Sequence, residues 1–432
     1  MEGPNGEKSK KNQERVATHK LSPESEEYTT HIEGLKNYYD APDEEHCFAG
    51  RELSTIDFKD RLLRAKRGEK TNIPSFMLGK YTEESLIKEK NASIKQTRER
   101  FLLRFEHPSA NGPAKSIFIE AFENPELNAT LQSILAKVPQ KSVPKKKLPR
   151  TGPDSIIEGL FRIGEKERNA ELLVYALRHQ LLDDDIWIRI LQNHQIRFEE
   201  QSKEFNEKIE PEFRKNFLIS LTNHSSSGDI PISMERVLKT LELVTVKLDD
   251  AIEHLFDERW GSYDPRSHVA LIGSENLRYK KILYRTYCHE MFHALSGKTV
   301  RAVSDTEYDE ILGPDRIGLM IVGKFRWLNE AVTESLTQLV VDQERNTYLT
   351  ERKILGFILG ESGLTLQDFA RAYFEHYEPD ERNTETGAIV GWKNINSEIS
   401  DKLGEGFLQR LDKKIKLDGA KKTLDALQKG EI

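Results

Sequence analysis

The chain has 432 residues, room for two or three domains of ordinary size, but only 37% are hydrophobic and 32% are charged, so part of its length should stay solvated. A formal charge of −7 argues against a dedicated nucleic-acid binder, and no run approaches the ~18 apolar residues of a membrane span. Two widely separated cysteines exclude a disulfide framework or a CxxC zinc knuckle and fit a reducing cytoplasm.

Residues 1–45 are rich in Lys, Glu, Ser and Asn, and apolar residues repeat at no period, so a disordered tail is expected. Met1–Lys20 is polar throughout and has no apolar signal-peptide stretch. Residues 46–136 hold short amphipathic pieces, such as Phe101-Leu102-Leu103 and Ile117-Phe118-Ile119, and are expected to form a small accessory region. Residues 137–153 follow as a linker whose first part, Lys137 to Arg150, carries six basic residues, three prolines and no acid. Proline removes backbone donors and blocks helix, so the reading is an extended, solvated hinge rather than a nucleic-acid contact. Residues 1–150 carry 27 Lys and Arg against 23 Asp and Glu, whereas the remainder carries 38 against 49, which suggests different tasks for the two parts.

Beyond the linker the texture becomes helical over 154–258. Ser155-x-x-Glu158 reads as a capping box, helical patterns run through Leu172–Leu182 and Ile186–Glu200, and a long helix is expected from Ser233 with Leu241, Leu248, Ile252 and Leu255 on one stripe. Residues 259–345 are mixed. His268–Gly273 is a short apolar strand ended by glycine, a helix follows from Asn276 to Ser296, and strands are expected near Thr299–Val303 and Arg316–Val322. Helices resume at Leu328–Val341, and within a helical C-terminal lobe, 346–432, at Glu351–Leu359 and Leu366–Tyr377. The fold class expected is α+β, a helix-rich chain with a small mixed sheet.

The informative run is Tyr287-Cys288-His289-Glu290-Met291-Phe292-His293, which contains H-E-x-x-H. On a helix, four residues turn about 400° and rise about 6 Å, so His289 and His293 share a face and can reach one metal ion. Glu290, about 100° round from His289, can address a water beside that metal. Tyr284, Cys288, Met291, Phe292 and Leu295 form a separate apolar stripe that would hold the helix on a core. A third donor is available in Trp327-Leu-Asn-Glu330-Ala-Val-Thr-Glu334, where Leu328, Val332, Leu336, Leu339 and Val340 mark the buried face. Glu330 and Glu334 fall together elsewhere on that helix, where like charges repel unless a cation or imidazole lies between them. Glu330 is read as the third zinc ligand, and Glu334 as the acceptor of the other ring N–H of a ligating histidine.

H-E-x-x-H followed by N-E-x-x-x-E on a later helix resembles the gluzincin metallopeptidases, thermolysin-like enzymes and zinc aminopeptidases among them. The resemblance covers residues from about 260 to 345. It implies a zincin-like core in which His289, His293 and Glu330 bind one Zn2+, Glu290 is the general base and Glu334 orients His289. It also implies that His268–Gly273 supplies the sheet edge along which an extended peptide lies. The stretch between His293 and Glu330 is longer than in well-known members and holds rival carboxylates, Asp305, Glu307, Asp309 and Glu310. Gly273-Ser-Glu-Asn276 only echoes the aminopeptidase motif, and Glu275 is read as a strand end and helix cap.

The expected function is therefore a zinc metallopeptidase, a hydrolase that cleaves peptide or protein substrates through a zinc-activated water with Glu290 as base. The alternative is a non-catalytic binding or regulatory protein on a peptidase-like zinc scaffold. Tyr373, His376 and Tyr377 stand where an oxyanion partner could lie, but Tyr373 and Tyr377 also fit a core stripe with Leu366, Phe369 and Ala370, and His376 reads as a surface residue. Cys288 reads as a small buried residue rather than a redox switch.

Overall fold

The computed structural model describes residues 47–106, 111–139, 141, 154–250, 261–265, 268–274, 277, 279–296, 298–299, 316–321, 324–341, 347–375 and 390–432. The expected tail, most of the basic linker, the carboxylates Asp305, Glu307, Asp309 and Glu310, and Glu275, His376 and Tyr377 lie outside the described residues. So do Ile252 and Leu255 of the proposed long helix.

The first helices are α1 (Phe48–Lys66), the short α2 (Ser75–Leu78), α3 (Glu83–Glu106), α4 (Asn111–Glu123) and α5 (Pro125–Lys137). Each of the long ones buries residues at helical spacing, as in Leu86, Ile94, Thr97 and Phe101 of α3. Asn124 caps α5, its side chain accepting from the N–H of Glu126 at 2.9 Å and of Leu127 at 3.3 Å, with proline at the first helical position. Next come α6 (Asp154–Arg178) and α7 (Asp184–Glu204), which runs through a π-turn at Phe205–Ile209 into α8 (Glu210–Ser226). α6 thus begins at Asp154, two residues before the start that a cap at Ser155 implies, and Ser155 lies within it. The Phe101 ring meets Phe118 edge-on at 5.5 Å and Trp187 at 5.0 Å, which joins α3, α4 and α7.

The long helix expected from Ser233 to Leu255 is not formed. The helix there, α9 (Met234–Leu243), stops at Leu243, and Thr245–Asp249 is a strand, β1. Leu241 and Leu248 lie seven residues apart and so fit a helical stripe, but Val246 and Leu248 alternate inward from an extended chain that finds a partner. That partner is β3 (Val269–Gly273), parallel to β1, and β2 (Gly261–Asp264) pairs antiparallel with the other side of β3. The order is β1-β3-β2. β3 is therefore the middle strand and not the sheet edge expected of it. Its unbroken apolar run, buried at all five positions, is what a strand covered on both faces requires.

α10 (Lys280–Leu295) starts four residues later than Asn276 and packs on β2 and β3. Its apolar stripe meets α8, with Phe213 against Tyr284 at 5.0 Å and Phe217 against Phe292 at 5.5 Å. A second sheet, order β4-β5-β6, joins Lys298–Thr299, Arg316–Ile317 and Met320–Ile321. The single strand expected over Arg316–Val322 is thus a tight hairpin, with Gly318 at φ 57 in its turn.

α11 (Arg326–Val341) packs against α10 on one side and α12 (Leu349–Ser362) on another. Leu328, Val332, Leu336 and Val340 are buried, whereas Leu339, expected among them, is exposed. Asp412 accepts the Phe325 N–H at 2.8 Å and so fixes the entry into α11. α13 (Leu366–Phe374), α14 (Val390–Leu403), α15 (Phe407–Asp418) and α16 (Ala420–Gln428) complete a helix-rich α+β fold with a small mixed sheet. Arg236 ties two helix ends together, its guanidinium donating to the carbonyls of Leu295 and Phe374. Ala41–Ile432 forms one compact unit, and one hydrophobic cluster runs from Cys47 to Leu427. No described helix is long and apolar enough to cross a membrane.

Candidate metal centre

His289 and His293 lie one turn apart on α10, and α11 carries Glu330 opposite them. The Nε2 atoms of the two histidines are 3.1 Å apart. Glu330 Oε2 lies 3.2 Å from His289 Nε2 and 3.4 Å from His293 Nε2. Zinc bonds of about 2.0–2.1 Å in tetrahedral geometry place ligand atoms about 3.3–3.4 Å apart, so the three donors stand close to the spacing one zinc ion demands. Their side chains are 12–13% exposed, mostly screened from solvent yet reachable from it.

The surroundings fix the ligands. Glu334 Oε2 is 3.1 Å from His289 Nδ1, which leaves Nε2 directed at the shared point. Arg285, one turn before His289, forms a buried ion pair with Glu334. Burial alone would raise the Glu334 carboxyl, but the hydrogen bond with His289 and the charges of His289 and Arg285 hold it below its ordinary value. At His289, burial works against the charged ring, but the bonds to Glu330 and Glu334 outweigh it and lift the imidazole to about 10. Glu330 is held well below its ordinary value despite burial, chiefly by the charge of His293 and the hydrogen bonds of both rings. The donor set therefore strongly favours positive charge at its centre, as a cation site must.

Glu290 is not one of the three converging donors, but its charge is felt by His289 and by Tyr348 beside them. It is buried, and its Oε1 lies so close to β2 that a Cβ on Gly261 would come within 2.8 Å of it. The carboxylate thus faces the start of β2, a strand with a neighbour on only one side among the described residues.

Other positions about the site were not legible in the sequence. Tyr348 stacks on the His289 ring at 5.8 Å with 13° between planes, from a left-handed backbone at φ 48. Burial and the charge of Glu330 push its phenol up, so it stays protonated. Asn329 accepts the Leu319 N–H at 2.9 Å, while its Nδ2 lies 3.5 Å from His293 Nδ1, so the β5–β6 hairpin braces the second histidine. Gly318 is needed in that hairpin, since a Cβ there would come within 2.3 Å of Asn329 Oδ1. Arg285 carries no signal because its role depends on how α10 meets α11. Of the oxyanion candidates, Tyr373 is fully buried and shares a hydrogen bond of 2.8 Å with Thr333. Cys288 is fully buried, and burial pushes its thiol up.

No family model matches the chain, and neither a curated protein nor a solved structure does.

Proposed function

We propose that the protein is a zinc-dependent metallopeptidase with a zincin-like core related to the gluzincins. The observation that carries this reading is the convergence of His289 Nε2, His293 Nε2 and Glu330 Oε2 within 3.1–3.4 Å of one another, with a separate carboxylate on the residue after His289. These three residues would hold zinc, which when bound supplies a Lewis acid that acidifies water and polarises a carbonyl. Glu290 takes the proton from the attacking water and returns it to the leaving amine. Its position against Gly261 supports a peptide laid along the outer edge of β2, where strand addition would satisfy the backbone and bring a scissile bond past the carboxylate. Glu334 and Arg285 keep the His289 ring oriented throughout, and Tyr348 covers its face.

The test is Glu290→Gln. Glutamine keeps the shape and leaves both histidines in place, but it accepts no proton at neutral pH. Peptide hydrolysis should fall by at least about 10²–10⁴-fold with zinc content unchanged, as read by mass spectrometry of a mixed peptide library. Undiminished cleavage by this variant would remove Glu290 as the base. Zinc bound by both proteins with cleavage by neither would leave a zinc-bearing binding scaffold.

A further inference from the structure

A second set of metal-binding residue types lies in the interior, away from the histidine helix and untouched by the proposed reaction. Cys47 immediately precedes α1, His194 is on α7, and Asp250 directly follows β1. One ligand atom from each lies within 4.8 Å of the other two. Asp250 Oδ2 is 3.0 Å from His194 Nε2 and 3.8 Å from Cys47 Sγ. Zinc bonds of about 2.3 Å to sulfur and 2.0–2.1 Å to nitrogen or oxygen would set these separations at about 3.3 and 3.6 Å, so small side-chain shifts suffice. The other ring nitrogen, His194 Nδ1, is 2.6 Å from Glu120 Oε2 on α4. A carboxylate on the far nitrogen of a histidine is the arrangement that orients a metal-ligating imidazole.

We propose that Cys47, His194 and Asp250 form a second, buried divalent-metal site of the zinc class, which fastens the start of α1 to α7 and to the end of β1. A thiolate, an imidazole and a carboxylate together suit zinc better than magnesium or calcium, which prefer oxygen alone. Cys47 is 0% exposed, Asp250 3% and His194 6%, so no substrate reaches the thiol, and the role is structural rather than nucleophilic.

The charge accounting allows it. Without metal, a protonated His194 between Asp250 and Glu120, beside a neutral Cys47 thiol, leaves one net negative charge. Burial raises the Cys47 thiol. Burial opposes charge on His194 as well, yet Cys47 and Asp250 beside it hold it well above its ordinary value. A divalent cation that enters while the Nε2 and thiol protons leave to solvent keeps the same net charge and replaces two hydrogen bonds with coordination bonds. The thiolate so formed sits at the N-cap of α1, where the helix dipole favours it.

The site is separable by experiment from the one on α10, whether or not that one is catalytic. The full-length His293→Ala protein should retain about one zinc per chain, because its second site is intact. Cobalt-loaded wild type should show a sulfur-to-cobalt charge-transfer band in the near ultraviolet, which only a thiolate ligand produces. The band should persist in His293→Ala and Cys288→Ser and vanish in Cys47→Ser. A folded His293→Ala protein with no zinc, no band in cobalt-loaded wild type, or a band that survives Cys47→Ser would each overturn the proposal. If Cys47→Ser does not fold, a mercurial titrated into the zinc-loaded double variant His293→Ala, Cys288→Ser, in which Cys47 is the remaining thiol, replaces it. Zinc released in step with the buried thiol supports the site, and thiol titration without zinc release refutes it.

Discussion

At His289 two carboxylates meet one imidazole, Glu330 at Nε2 and Glu334 at Nδ1, 3.2 and 3.1 Å away. Glu334 in turn carries the buried partner Arg285. Removing one member of a buried pair strands the other charge, so Arg285→Met should cost about 3–5 kcal/mol in urea unfolding. Glu334→Gln keeps an acceptor but loses the charge, and zinc affinity should fall by ~10–100-fold in a competition titration. Gly261→Ala should act on a neighbouring face of the helix, about 100° round from His289. Its new Cβ would come within 2.8 Å of both Glu290 Oε1 and Thr286 Cγ2. Displacing the carboxylate by ~1 Å should lower kcat by about 10²-fold while metal content stays at the wild-type level. A variant with unchanged kcat would mean that Glu290 has room to move. The two histidines and the two glutamates were legible because each pair sits at i, i+4, a spacing with a fixed geometric meaning on a helix. Arg285, Tyr348 and Gly261 were not, because each reaches the site only through the approach of separate elements, which no local spacing encodes.

Elements differ in how far local sequence settles them. α10 and α11 follow from their own periodicity, and their buried stripes match the stripes in the chain apart from Leu339, which is exposed, and Tyr284, which is half-buried. β1 was missed because a seven-residue interval suits a helix face, and only pairing with β3 decides for the strand. The π-turn in α7–α8 likewise has no sequence signature. α13 shows a local rule at full strength. Thr365 and Asp368 form a capping box, the Thr365 N–H donating to Asp368 Oδ2 at 2.9 Å and the Asp368 N–H to Thr365 Oγ1 at 3.3 Å. Thr365→Ala should cost about 0.5–2 kcal/mol in thermal unfolding. The hydrogen bonds from Thr365 hold the Asp368 carboxyl below its ordinary 3.8. Its folded value is depressed, so its contribution is complete above that ordinary value and is lost as pH falls through the lower folded one. The penalty of Asp368→Ala should therefore be the same at pH 7 and pH 5 and shrink below about pH 4. A penalty that stays constant down to pH 2 would mean that the carboxylate charge is irrelevant to the cap.

Across the whole molecule, the N-terminal helices and the site-bearing region bury apolar surface against each other. Trp187 of α7 is fully buried, and two of the rings that cover it, Phe101 and Phe118, come from α3 and α4. Buried Ala170, Leu173 and Leu177 of α6 belong to the same core, and α6 packs on α4 and α5. The composition hints at two parts of opposite charge, but charge lies on the surface and reports little about which apolar faces share an interior. A chain cut to residues 154–432 would lose α1–α5 and expose Trp187 together with one side of α6 and α7. Deleting a single large buried aromatic costs about 3–5 kcal/mol, and a domain's whole stability is only about 5–15 kcal/mol. Losing Phe48, Phe101 and Phe118 at once should therefore exceed what the remainder can supply. Residues 154–432 are expected to show no cooperative thermal transition and to bind a hydrophobic dye, although all three donors of the α10–α11 site are retained. If that fragment instead melts cooperatively near the temperature of the full chain, the N-terminal helices form a separable module, and the interior described here would have to be divided into two.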